Sequence, residues 1–249
     1  YRKKFAVSPQ LQDMRLFIDF DGVMCYAKVF VNGQFAGEHK GGYVPFSVEI
    51  TQYVDYGEEE TNILAVYVDS TERADIPPFG GMVDYLCYGG IYRDVTLRAV
   101  PHCHIESVYA RPVSVLTAEK SLQVDIAIAH SDRMNKPINI LIALFDSRNK
   151  KRAELHKSLV VSVPSLTLSM LMDELTGLKL WTLEKPELYR VEVSLLEDGA
   201  VCDSVSTRIG FRVAEFTPEG FFLNGKPLKL RGLNRHQSFP YIGYAMPQR

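Results

Sequence analysis

Apolar residues return at every second position through most of this chain, and that periodicity limits its fold more than any other feature. "LQVDIAIA" (122–129) turns Leu122, Val124, Ile126 and Ile128 one way and Gln123 and Asp125 the other. That is the spacing of a half-buried strand. In "VMCYAKVFV" (23–31), Val23, Cys25, Ala27, Val29 and Val31 share a face opposite Met24, Tyr26, Lys28 and Phe30. "YRVEVSLL" (189–196) and "IYRDVTLRAV" (91–100) repeat the pattern, the second with Ile91, Arg93, Val95 and Leu97 on one face. "INILIALF" (138–145) is apolar on both faces, as a central strand of a sandwich should be. Asn-Gly at 32–33 and at 224–225 predicts two hairpins, the second joining "FFL" to "KPLKLR". No segment combines an N-cap with three turns of helical spacing. Strands at intervals of roughly 8–12 residues, separated by Gly, Pro and Asn, read as β-sandwiches, and the fold class is all-β.

Breaks in composition mark three pieces. "VPHCH" sets a proline after a complete strand, and "AEFTPEG" starts a new hairpin. The expected domains are a sandwich over 1–100, an immunoglobulin-like sandwich over 101–214 and a short piece over 215–249. The last is too small to own a core and belongs with something larger. Twenty-eight basic against 30 acidic residues, with no basic stripe, exclude a phosphate-backbone binder. No apolar run reaches the roughly 18 residues that span a bilayer. "YRKKF" opens the chain with no apolar signal segment behind it and no initiator Met, so the true N-terminus is expected to lie upstream. Cys25, Cys87, Cys103 and Cys202 lack metal-site spacing and read as small buried hydrophobes in a reducing compartment.

Chemistry has few places to reside. Between two strands, 69–97 makes a long excursion punctuated by Pro77-Pro78, Gly80-Gly81 and Gly89-Gly90 and rich in aromatics. Long ordered loops of this kind are usually functional. Arg93 and Asp94 beside it read as a structural charge pair. His102 and His104 share a strand face but have no third ligand at metal-site spacing. No Gly-x-Ser-x-Gly elbow supplies a nucleophile, and neither Gly-Gly pair stands before a helix to cradle phosphate. Trp181, Pro186 and Tyr189 in "WTLEKPELYRVEVSL" read as a packing corner. "GLNRHQSFP" (232–240) follows a strand-like run and brings Arg235 and His236 together, either as an ordinary surface hairpin or as the loop closing a barrel strand.

"FVNGQFAGEHKGGYVPFSVEIT", "GGIYRDVTL", "WTLEKPELYRVEVSL" and "GFFLNGKPLKLRGLNRH" together resemble glycoside hydrolase family 2, the β-galactosidase and β-glucuronidase group, in order and across essentially the whole chain. The resemblance implies a jelly-roll sugar-binding-type domain, then an immunoglobulin-like domain, then the first hairpin and strand of a truncated (β/α)8 barrel. "YRKKF" looks like the family's Trp-Tyr-Arg-Lys strand without its Trp. A retaining glycosidase needs two carboxylates about 5–5.5 Å apart. The family's catalytic Glu residues lie on later barrel strands, so no catalytic residue is assigned here and the chain alone is expected to be inactive. By resemblance Asp94 matches a galactosidase carboxylate near the sugar's 6-hydroxyl and a bound sodium. Asp84 matches a substrate-side acid of the glucuronidases, and His236 a galactosidase histidine that hydrogen-bonds the sugar. The glucuronidase motif lacks an Asp at the position of Asp94, which favours a β-galactoside as substrate. The resemblance further implies sodium and magnesium in the whole enzyme but no cofactor in this chain, a homo-oligomer, no nucleic-acid or membrane partner, and a bacterial cytoplasmic location.

Three readings compete: part of a family 2 enzyme of β-galactosidase, β-glucuronidase or β-mannosidase type, a free carbohydrate-binding module, and an immunoglobulin-type adhesion protein. Only the first explains the tail. The third would carry an inter-sheet disulfide. A lone first barrel strand would expose its edges, so residues after about Pro240 are expected to lack order or to lean on another copy.

Overall fold

The computed structural model describes residues 1–78, 85–130, 136–240 and 242–245. It divides into two units, Tyr1–Val100 with Leu233–Arg249, and Pro101–Gly232. The first holds β1 (Arg2–Val7), β2 (Arg15–Phe20), β3 (Val23–Met24), β4 (Tyr26–Val31), β5 (Gln34–Lys40), β6 (Phe46–Glu49), β7 (Gly57–Asp69), β8 (Gly90–Ile91) and β9 (Val95–Val100). They form antiparallel sheets ordered β1-β7-β4-β5 and β6-β2-β9, with β3 and β8 as a short ribbon. Leu16, Ile18 and Phe20 of β2 are buried in one core with Ala27, Val29 and Val31 of β4. Each of these except Ala27 contributes about 1.5–3 kcal/mol.

The Asn-Gly signal at 32–33 is a turn with both residues at positive φ, 50° and 82°, joining β4 to β5. That conformation is taken most readily by Gly and, among residues with a side chain, by Asn and Asp, as at Asp198-Gly199. Asn32 also reaches inward: its Nδ2 donates to the Tyr53 carbonyl and to Asn62 Oδ1, both at 2.9 Å, and its Oδ1 accepts from Ile63 N. Asn62 is fully buried, accepts from Asp55 N at 2.8 Å and donates to the Asp55 carbonyl at 2.7 Å. A hairpin residue thus doubles as half of an internal polar hub.

Two expected strands are broken. The run 23–31 splits at Cys25 because β3 pairs with β8 while β4 pairs with β5 and β7, so Val23, Met24 and Cys25 are all buried instead of alternating. The run 91–100 splits at Tyr92–Asp94. The Tyr92 hydroxyl donates to the Gly42 carbonyl at 2.5 Å, and its ring lies where a Cβ on Gly22 would come within 2.9 Å. The chain turns aside to seat that ring, then β9 joins β2 from Phe20↔Val95 to Arg15↔Val100.

The stretch after β7 is pinned by charge. Asp75 accepts from Lys40 Nζ at 2.7 Å and from Arg73 Nε at 3.1 Å, while Arg73 lies 5.0 Å over the Tyr26 ring. The Lys40 and Arg73 hydrogen bonds hold the Asp75 carboxyl down at about 2. A lowered folded-state pKa gives a contribution that is complete above the ordinary value of about 4 and lost as pH falls through the folded value. An NMR titration should therefore place the Asp75 carboxyl midpoint near 2, and a midpoint near 4 would mean the clamp is absent in solution.

The second unit holds β10 (Cys103–Val113), β11 (Lys120–His130), β12 (Lys136–Phe145), β13 (Lys151–Val161), β14 (Ser165–Leu175), β15 (Tyr189–Glu197), β16 (Ala200–Ile209), β17 (Ala214–Thr217), β18 (Gly220–Leu223) and β19 (Lys226–Pro227). Sheets β10-β11-β14 and β13-β12-β15-β16 enclose Leu122, Val124, Ile126 and Ile128 with Ile138, Ile140, Ile142 and Leu144, none of them exposed. β12 is central, between β13 and β15, as its apolar run predicts. Its second face is only half-buried, with Phe145 beneath the Arg190 guanidinium at 4.2 Å. Asp203 of β16 accepts from Ile105 N at 2.7 Å beside the bulge in β10 and so ties one sheet to the other. Buried Tyr189 meets fully buried Phe211 edge-on at 5.3 Å, and Arg212 covers Trp181 at 4.5 Å, which makes this region a packing corner.

A small sheet, β17-β18-β19, closes the unit. Asn224 and Gly225 form the second turn at φ 52° and 73°, and Asn224 Nδ2 donates to the Trp181 carbonyl. The expected strand "KPLKLR" ends at Pro227, and residues 228–238 form no strand. Pro227 has no N–H to extend a ladder, and beyond β19 there is no neighbouring strand among the described residues. The barrel strand that the resemblance implies is thus not formed here.

Candidate functional site

The site is built from the loop around Asp94 and from the tail carrying His236, both in the first unit. Asp94 lies between β8 and β9, exposed, with its main-chain carbonyl accepting from Asp21 N at 3.0 Å. Arg93 does not pair with it. The guanidinium turns over the neighbouring Tyr92 ring at 5.4 Å, and no ion pair joins Arg93 to Asp94 among the described residues. The expected charge pair fails because the seated Tyr92 ring offers the cation a nearer face. Asp84 lies outside the described residues.

From Asp94 a run of tyrosines leads to the tail. Tyr92 holds the Gly42 carbonyl, and the next residue, Tyr43, lies 6.4 Å from the Tyr244 ring. Tyr88 meets Tyr244 edge-on at 5.0 Å, and Tyr85 lies 6.4 Å from both Tyr244 and His236. Such edge-on and tilted pairs each add about 0.5–1.5 kcal/mol beyond their burial. Burial, then the Cys87 thiol to which its hydroxyl donates at 3.9 Å, push Tyr43 well above the usual tyrosine range, so it stays a neutral phenol. Asp94 and His236 make no direct contact among the described residues; the tyrosines connect the two loops.

The tail is therefore better packed than expected. Phe239 and Gly243 exchange hydrogen bonds at 2.7 and 3.1 Å, and Gly243 sits at φ 60° with Tyr88 ring atoms 2.6 Å from where a Cβ would stand. Residues 242–245 rest on this chain's own tyrosines, while 241 and 246–249, for which the same expectation was made, lie outside the described residues. The aromatic content of 69–97 is visible in the sequence, but its match to Tyr43 and to Tyr244 in the tail is recorded by no short motif.

Other candidates contribute little. His104 Nδ1 lies 3.1 Å from the Pro101 carbonyl, and no group of three His, Cys, Asp or Glu among the described residues is placed to hold a metal. All four cysteines are free. Cys25 and Cys103 are buried, but Cys202 is only half-buried and Cys87, on the loop rather than in a sheet, is exposed, contrary to the expectation of four buried thiols. Burial pushes the Cys103 thiol up to about 12, which keeps it inert. No helix among the described residues is long and apolar enough to cross a membrane.

Comparison with known proteins agrees with this architecture. Residues 1–101 match the model of the glycosyl hydrolases family 2 sugar binding domain, and residues 103–212 match that of glycosyl hydrolases family 2. A β-galactosidase of Thermoanaerobacterium thermosulfurigenes is 39% identical over 249 residues, covering 100% of this chain and 34% of the relative. A β-glucuronidase of Bacteroides fragilis is 35% identical, covering 99% of this chain and 36% of the relative. Among solved structures, Bacteroides uniformis β-glucuronidase 2 superposes with a TM-score of 0.89 at 30% identity, over 99% of this chain and 30% of that one. The chain thus spans about a third of the length of the relatives it matches. With two successive matches in family order and both sandwiches formed, the chain belongs to glycoside hydrolase family 2, of which it contains the sugar-binding and immunoglobulin-like domains.

Proposed function

We propose that this chain is the non-catalytic, substrate-side part of a retaining glycoside hydrolase that removes terminal β-galactosyl groups. The observation that carries this reading is the exposed Asp94 carboxylate, free of any ion pair among the described residues and held on a braced loop. A carboxylate accepts hydrogen bonds from sugar hydroxyls. The 6-carboxylate of a glucuronide would meet it with like charge, whereas the 6-hydroxyl of a galactoside donates to it. His236, exposed beside Tyr85, offers a second hydrogen-bonding group on the tail. Relatives carrying the names β-galactosidase and β-glucuronidase are both similar to the chain, so the choice between them rests on Asp94. Asp94 gathers no second and third metal ligand among the described residues, and no step of this reading runs through sodium or magnesium.

The second reading is a free carbohydrate-binding module, and calorimetry separates the two. With only one side of a sugar site present, lactose should bind this chain more weakly than about 1 mM. Millimolar or tighter binding of lactose would favour the free module.

A further inference from the structure

One imidazole in the first unit is placed where a charge cannot be accommodated. His39 of β5 stands opposite buried Ala27 in the β4–β5 ladder, so its ring shares the core face of that sheet. There it stacks on Phe46 at 4.2 Å and 11°, and Phe46 stacks on Phe20 at 4.7 Å and 9°. The stack bridges the sandwich, because β5 belongs to one sheet and β6 and β2 to the other. His39 Nε2 is buried and has no hydrogen-bond partner among the described residues. Gly41 lies so close that a Cβ there would come within 3.4 Å of that nitrogen.

The charged groups on the neighbouring elements are committed elsewhere. Glu38 accepts from the Tyr26 hydroxyl at 2.6 Å, Lys40 pairs with Asp75, and Lys28 lies 5.7 Å over the Tyr26 ring. These three alternate with His39 and Ala27 and so face outward. On the other sheet Asp19 pairs with Arg98 and Glu49 with Arg15. Asp21 and Asp94 are exposed on the loops beside Tyr92, whose phenol burial keeps neutral. Burial therefore dominates and pushes His39 below the usual histidine range, opposed only by the Gly41 main chain. A lowered folded-state value gives stability that is complete above the ordinary value of about 6.5 and is lost as pH falls through the folded one.

We propose that His39 is an acid-sensitive latch on the loop that follows it, residues 41–45. A proton gained by the ring buries a charge that no carboxylate answers, so the ring leaves the stack and the loop gives way with it. That loop braces both parts of the candidate site. Gly41 N donates to the Cys25 carbonyl at 2.9 Å, the Gly42 carbonyl holds the Tyr92 hydroxyl two residues before Asp94, and Tyr43 lies against Tyr244 of the tail. Acid thus loosens the Asp94 loop and the His236 tail together. The consequence for substrate rests on the proposed function, whereas the latch does not.

Hydrogen exchange on the chain without sugar tests the latch apart from that function. After correction for the chemical rate, protection of Gly41 N–H should fall at least about threefold between about pH 7.5 and pH 5. His39→Phe keeps an aromatic ring in the stack and removes the proton, so its protection should not change over that range. The His39 imidazole of the unmodified chain, followed by NMR, should titrate below 6.5 with the same midpoint as the loss of protection. This second measurement decides the matter if His39→Phe does not fold. Protection that is independent of pH overturns the proposal. So does a fall that persists in a folded His39→Phe, or an imidazole midpoint at or above 6.5.

Discussion

Asn62→Leu should destabilise the first unit by about 2–4 kcal/mol, read as a fall in its urea midpoint. Leucine keeps asparagine's branching and number of heavy atoms, so it preserves the shape of the site better than alanine, although it is bulkier. What disappears is polar: the hydrogen bonds from Asp55 N, to the Asp55 carbonyl and from Asn32 Nδ2 all end on Asn62. Asn62 is fully buried, so water cannot replace it without a rearrangement of β7. Asn32 retains Tyr53 and Ile63 as partners, which keeps the loss below the sum of three separate deletions. A change below about 1 kcal/mol would show that the hub is not a structural element of this sandwich.

Gly243→Val should release the tail from the tyrosines while leaving both sandwiches folded. A β-branched residue at φ 60° costs about 1–2 kcal/mol in backbone strain alone. Its Cβ would also stand 2.6 Å from Tyr88 ring carbons. The main-chain N–H of residue 243, which donates to the Phe239 carbonyl, should lose at least about tenfold in exchange protection. His236 would then no longer be held beside Tyr85. Unchanged protection at residue 243 would mean that the tail does not dock through this turn in solution.

Strand identity and the core faces of 122–129 and 138–145 were readable because alternation and burial report the same geometry: Leu122, Val124, Ile126 and Ile128 are fully buried. Both Asn-Gly turns were readable because few other residue pairs take positive φ twice. The breaks at Cys25 and at Tyr92–Asp94 were not, because each depends on a distant partner, Gly90–Ile91 in one case and Gly42 in the other. The missing strand after Pro227 has the same origin: a ladder needs a neighbour, and a local pattern cannot say whether one is present. At the site, family likeness singled out Asp94 and His236. The tyrosines that connect their loops lie up to 201 residues apart in sequence, from Tyr43 to Tyr244, and share no motif.

The most direct test is an assay of aryl β-galactoside hydrolysis by this 249-residue chain alone, beside a whole-length family 2 β-galactosidase. The expected result is no turnover above buffer, since the carboxylate pair that a retaining mechanism requires at about 5–5.5 Å is not assigned in this chain. Turnover that copurifies with the chain and falls when one of its own carboxylates is replaced would contradict a non-catalytic, substrate-side role.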